Sequence, residues 1–546
     1  MPPATLGMLE RVRRQNSQQG WEAQWIAGYK PVRFSGPFGG FSSYHSVDVI
    51  PQVPNKRGIT KSPSLLNTYA WPFGSITSFP GHANLNSVAG NSSKAITGIT
   101  FLGEISQTLV IAIQNKIGKD VAGTWTDITG AASITDDDDN LVSFGYLNGT
   151  LVLSFFKKDA PLKWTGSGDV ATLGGSPRSG IKFCLSFDGR MWLFSDQNAD
   201  YSAINDPESY DLTDDTLNFL TTTGEGASDG SIMTSATVIG DSIYIGKGGP
   251  NAIVEHVFRI YRTGNPALPY RFERIETGGI GPISNAATVA VGQDLIFLAK
   301  DGNVYLVRGN LFVPEGIGRS IQRTLLADYN KSRFEFASMG LLRERGMVGL
   351  SLSLSGNTTH NRTWWYDYLN SQPGDESKEF WHHGDHAINA WGERISSGQR
   401  QLITGGYDGF YEQQLSGDTY AGSAYTKRWA GPWHLLGDPF QWYEVLGIAV
   451  VFEPVGNFNV TFEYAKDFGQ SFTTVGTFNT VGGDVLGSFI LGTDTLGGEE
   501  QGVAYLEIGD EVQRIKPRFT NSNGGEPFNI SSYAFLVRPI RRGLDL

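Results

Sequence analysis

Histidine, aspartate and arginine clusters are the parts of this sequence whose types and spacing could do chemistry. The densest histidine segment is Trp381-His382-His383-Gly384-Asp385-His386, and two or three imidazoles with a carboxylate are a donor set for zinc or iron. Its flanks, Lys378-Glu379-Phe380 and Ala387-Ile388-Asn389-Ala390-Trp391, read as strand, turn and strand. No second element is evident to complete a metal site, so a solvated turn or a subunit contact is the expectation. The run Asp136-Asp137-Asp138-Asp139-Asn140 offers oxygen ligands to Ca²⁺ but lacks the loop glycine and closing glutamate that make such a loop wrap an ion. It is expected as an exposed, self-repelling connecting loop. Arg259, Arg262, Arg271 and Arg274, with Tyr261 and Glu273, could suggest a sialidase-type arginine cluster. They fall on adjacent strands of one repeat unit, where a sialidase collects its arginines from several, so surface pairing with local glutamates is expected. The sequence contains no Gly-x-Ser-x-Gly elbow, phosphate-cradling glycine loop or His-Glu-x-x-His.

The elements that must position these groups come from a repeat. Short apolar strands recur, each led by a turn with Gly, Asn or Asp, as in Asn148-Gly149 before Thr150-Leu151-Val152-Leu153 and Asp188-Gly189 before Arg190-Met191-Trp192-Leu193-Phe194. Their centres fall near Val110, Leu151, Trp192, Ile243, Ile296, Val348 and Leu402, spaced close to the ~40–50 residues of a four-stranded propeller blade. Second hairpin cues, Asp301-Gly302 and Asp408-Gly409, fit the same unit. One such blade cannot cover both of its faces, but six to eight around an axis can. A tandem of β-sandwiches also gives frequent strands, without imposing a blade-length period.

Composition agrees. Gly is 69 of 546 residues, charged residues are 18% against a usual ~25%, and aromatic residues reach 12%. That excludes a long disordered chain and a helical bundle. The expected fold is all-β: a six- or seven-bladed β-propeller over residues 71–420, plus a β-sandwich-like platform built from an N-terminal arm (1–70) and a C-terminal region (421–546). The sialidase-type Ser-x-Asp-x-Gly-x-Thr-Trp turn is approximated once, at Ala465 to Phe472, outside the blades. No enzyme, metal or cofactor is expected.

The longest apolar run, Val445 to Phe452, is far short of the ~18 residues of a membrane span. Met1 to Gly20 has charges but no apolar core, so no secretory signal is expected. The single Cys184 rules out an intramolecular disulfide and fits a reducing compartment. With 43 Lys+Arg against 55 Asp+Glu the net charge is −12, which argues against a groove gripping nucleic acid and suits a conduit through which DNA passes without sticking.

Several segments, in order, resemble the tail hub or nozzle proteins of short-tailed bacteriophages, the phage stabilisation proteins. Phe258-Arg259-Ile260-Tyr261-Arg262-Thr263 resembles their "IYRT" strand, and Thr277-Gly278-Gly279-Ile280-Gly281-Pro282-Ile283-Ser284 the turn before a blade matched by Val291 to Gly302. Arg190-Met191-Trp192-Leu193-Phe194 with Asp206-Pro207-Glu208-Ser209-Tyr210 is similar to their "rlwfS…dPesW" segment, and Gly36-Pro37-Phe38-Gly39-Gly40 to their arm. Phe41-Ser42-Ser43 replaces the usual Asn-rich continuation. The resemblance implies a structural virion protein, made in the host cytoplasm. About six copies would ring the channel below the portal and adaptor, close it, anchor fibres or a needle, and conduct viral DNA without binding it specifically. Arg11, Arg13, Arg14, Phe38, Arg538, Arg541 and Arg542 are the interface candidates. The alternative is a receptor- or carbohydrate-binding propeller in which Trp164, Trp364, Trp365 and Tyr366 stack on sugars.

Overall fold

The computed structural model describes residues 29–35, 38–42, 60–70, 75–87, 93–105, 107–218, 230–249, 252–375, 379–481 and 502–540. The chain divides into two compact units, Gly81–Gly422 and Met1–Pro80 with Ser423–Leu546.

The first unit holds seven four-stranded antiparallel sheets, so the repeat resolves to seven blades. Asn148-Gly149 and Asp188-Gly189 join the first and second strands of their blades, and Asp301-Gly302 and Asp408-Gly409 the second and third. Asn148 and Gly149 sit at φ 47° and 78°, the left-handed pair that matches the twist of a hairpin. Second strands such as Thr108–Ile113, Ser242–Gly248 and Met347–Leu352 are buried along their whole length. A neighbouring blade covers each face, so these strands read as continuous rather than alternating apolar runs. Burying one Val, Leu, Ile or Phe this way contributes about 1.5–3 kcal/mol.

First strands line the axis. Those of blades 2 to 7 touch in succession, and Ala390–Ser396 of blade 7 touches Ile96–Leu102 of blade 1. Val142 N donates to Thr97 O at 3.0 Å between blades 1 and 2. Seams are also fitted by shape. Trp391 of blade 7 fills a slot over blade 6 left by Gly340 and Gly349, where a Cβ would come within 2.3 and 2.4 Å of the indole. Its Nε1 donates to Ser338 Oγ at 3.0 Å.

Blade 7 is completed from outside the repeat. Ala390–Ser396, Gln399–Gly405 and Phe410–Gln414 take their fourth strand from His82–Ser87, at the start of the unit. The ring is thus closed by a non-covalent seam between its two ends. Between blades 5 and 6 the chain inserts a helix, α1 (Arg319–Asp328), and a 3₁₀ segment, Lys331–Phe336.

The second unit is a sandwich of two six-stranded sheets drawn from both ends of the chain. Lys30–Ser35 and Ile76–Ser78 pair with Asn529–Ile540, and Ser64–Leu66 pairs with Lys427–Ala430. An aromatic core joins the sheets. Phe519 lies 5.7 Å from Tyr533, and Tyr533 hydrogen-bonds buried His434 at 2.6 Å.

Candidate functional site

Within the propeller, two groups of ionisable side chains are assembled from distant parts of the sequence. The first lies on the closing seam. His82 comes from the entering strand, Glu412 from the third strand of blade 7, and His386 from the connection between blades 6 and 7. His82 Nε2 lies 3.1 Å from Glu412 Oε1 and His386 Nε2 lies 2.9 Å from Oε2. All three residues are buried. The two imidazoles stack at 4.0 Å and 6°, and Tyr420 stacks on His82 at 4.7 Å. Burial would raise the Glu412 carboxyl, but hydrogen bonds from His386 and His82 pull it down to about 2. Burial, then His82, holds His386 below its ordinary value.

These three donors lie within 4.8 Å of one another, close enough to hold a metal. Ring orientation argues otherwise. A metal binds imidazole nitrogen in the ring plane, and one ion cannot lie in the planes of two parallel rings stacked face to face. The arrangement is a buried carboxylate shared by two imidazole N–H donors. The expectation of a solvated turn is corrected here, because Trp381–Gly384 is a buried outer strand and His386 is buried too. The second contributing elements exist, but they lie hundreds of residues away or on a later strand.

The second group lines the axis, where a cavity of about 180 Å³ is bounded by Thr97, Ser143, Lys182, Asn285, Glu335 and Asn389, among others. Asp139 also lines it, and the guanidinium of Arg333, from the 3₁₀ segment, takes that carboxylate in a bidentate pair spanning 194 residues. Arg333 also lies over the Phe336 ring at 4.0 Å. Two more carboxylates of the run are paired with lysines. Lys94 reaches Asp136 and Lys158 reaches Asp137, both at 2.5 Å, and Lys158 holds the Asp137 carboxyl low. Burial, with Asp139 and Asp137 alongside, raises Asp138. The run lies in the connection between blades 1 and 2, with Asp136 exposed and Asp138 facing its acidic neighbours. The expectation is refined in that Lys94, Lys158 and Arg333 pair with Asp136, Asp137 and Asp139.

Lys182 is the other axial ion. Its Nζ donates to Met233 O, lies 3.5 Å from Asp196 Oδ1, and is lowered by burial to about 8. It ties blade 3 to blade 4.

The remaining candidates separate. Arg259, Arg262, Arg271 and Arg274 lie on the paired strands His256–Asn265 and Leu268–Ile275 of blade 4. Arg259 is near Asp241 and Glu273, Arg262 pairs with Asp188 of blade 3 at 2.8 Å, and Arg274 lies 3.7 Å from Glu276. Phe38 is a correction: it is fully buried between Trp429 and Tyr533, so it is core and presents nothing to a partner. Arg538 is exposed, yet it is paired with Glu444 and lies over the Tyr29 ring. Arg11, Arg13, Arg14, Arg541 and Arg542 lie outside the described residues. Trp164, Trp364, Trp365 and Tyr366 are corrected as well. Each is at most 2% exposed, and Trp364 Nε1 is committed to Tyr329 at 2.7 Å, so none offers a face to a sugar.

The fold and these contacts define an all-β protein with a seven-bladed propeller closed by its own entering strand. No protein-family model matches the sequence, and no curated protein matches it. Among solved structures, the chain is similar to a computationally designed protein, Ika8, at 14% identity and TM-score 0.34 over 61% of this chain and 99% of that one. It is also similar to the N-terminal part of BBS1 in complex with ARL6 (9%, TM-score 0.37, 62% and 97%) and to a catalytically inactive virginiamycin B lyase from Staphylococcus aureus with quinupristin (11%, TM-score 0.36, 61% and 98%).

Proposed function

We propose that this protein is a structural component of a phage tail, a nozzle or hub whose copies ring the DNA channel beneath the portal and adaptor. The observation that carries the reading is the β-sandwich assembled from both ends of the chain, with the entire propeller inserted in sequence between its halves. That is the organisation the resemblance to tail hub proteins implies, in which the end-built domain forms the ring and the propeller projects from it. The ionisable side chains gathered along the axis support a mechanical role. Asp139 with Arg333 ties distant parts of the ring, and Lys182 with Met233 ties neighbouring blades. An acidic chain, at −12, also suits a conduit that must not hold on to DNA.

The test is retention of DNA. Filled heads carrying portal and adaptor but no further tail protein are expected to leak their DNA to nuclease. Adding this protein is expected to protect the DNA, and an unchanged leak rate contradicts the reading.

A further inference from the structure

On the sandwich, the strand Arg514–Asn521 alternates cleanly. Ile515, Pro517 and Phe519 point inward, while Arg514, Lys516 and Arg518 share the outward face. A two-residue repeat spaces these cations by about 6.8 Å along a line. Aromatic rings hold each of them. Arg514 lies over Phe468 at 4.4 Å, Lys516 is 6.0 Å from the Trp433 ring and 5.7 Å from Phe472, and Arg518 lies over Phe472 at 3.8 Å.

Rings fix a cation without neutralising it. Arg518 takes Glu463 in a bidentate pair at 2.6 and 2.8 Å. Asp467, the other nearby acid, accepts the backbone N–H groups of Gln513 and Arg514. Among the described residues, neither Arg514 nor Lys516 has a carboxylate at ion-pair distance. Ala465, opposite Lys516, and Ala430, opposite Arg518, are buried beside the line. Burial, then Arg518, depresses Lys516, which marks a cation held in company it does not favour.

A closed ring needs a heterologous contact, two different and complementary patches on each copy. This line of positive charge lies on a chain carrying twelve excess negative charges. We propose that the outward face of Arg514 and Lys516, beside the paired Arg518, is the positive half of the seam between copies and takes the acidic surface of a second copy of this chain. The proposal rests on the ring reading above and names where the ring is joined.

Native mass spectrometry over a salt series tests it, with the full chain, the double variant R514E/K516E and the milder R514Q/K516Q. The wild type is expected to form rings that dissociate as salt rises. Both variants should associate at least about tenfold more weakly, R514E/K516E more so than R514Q/K516Q, with unchanged circular dichroism. Rings of equal stability in folded variants overturn this seam and leave the ring reading standing. A wild type monomeric at every concentration and salt overturns this seam, and the ring reading falls with it only if portal–adaptor complexes also fail to gather copies into a ring.

Discussion

His82 lies 3.1 Å from Glu412, joining the entering strand to the third strand of the final blade. With His386 on the other carboxylate oxygen, one buried charge holds the only seam at which the ring has no covalent continuity. Removing one partner from a buried pair costs about 3–5 kcal/mol, because the other is left unpaired. E412Q is therefore expected to lower propeller stability by about 3 kcal/mol in a urea titration at pH 7, with the entering strand's amides exchanging first. Loss of less than 1 kcal/mol would contradict the latch.

Acid should weaken both units, and the direction follows from which state binds more protons. Burial lowers His360 to about 4 and His434 to about 3. Below the ordinary histidine value of about 6.5, the unfolded chain binds protons that the folded chain does not. Each such histidine then removes about 1.4 kcal/mol per pH unit down to its own folded value. Glu412, held at about 2, adds a further loss between roughly pH 4.5 and 2. Stability measured from pH 7 to pH 4 is expected to fall throughout, and H434F should flatten the curve of the sandwich alone.

Trp391 packs over Gly349 with no room for a methyl group. G349A is expected to cost about 1–3 kcal/mol by overpacking, and W391F about as much by emptying the slot. Thermal unfolding of the two variants separates this fit from a simple loss of apolar area, under which G349A would be neutral.

Arg333 grips Asp139 with a planar fork, which a lysine cannot reproduce. R333K should lose most of what R333A loses, read as the unfolding midpoint. If R333K behaves as wild type, the axial tie is a point charge rather than a bidentate clamp.

Cys184 is buried and its thiol is pushed up to about 11 by burial. A thiolate reagent at pH 8 is expected to find no reactive thiol in the native protein and one after denaturation.

Much of the propeller was legible in the sequence because the second strands of most blades are rich in apolar residues and follow a left-handed turn, as at Asn148-Gly149 and Asp188-Gly189. The closing strand was not. His82–Ser87 carries no repeat signal, and its partner strand Phe410–Gln414 lies more than 300 residues later. The same distance hid the seam: His386 stood out in its cluster, whereas His82 and Glu412 each look like isolated polar residues. The ion pairs of the aspartate run were hidden for a related reason, since Lys94, Lys158 and Arg333 meet it only after blades 1, 2 and 5 are in place. Trp164, Trp364, Trp365 and Tyr366 looked available because sequence gives no account of which face a neighbouring blade covers.

Symmetry-averaged electron microscopy of the purified protein, alone and added to portal–adaptor complexes, tests the central claim most directly. The account predicts closed rings of about six copies, with the propellers projecting from a continuous band of end-built sandwiches. Particles that stay monomeric in both preparations would contradict it.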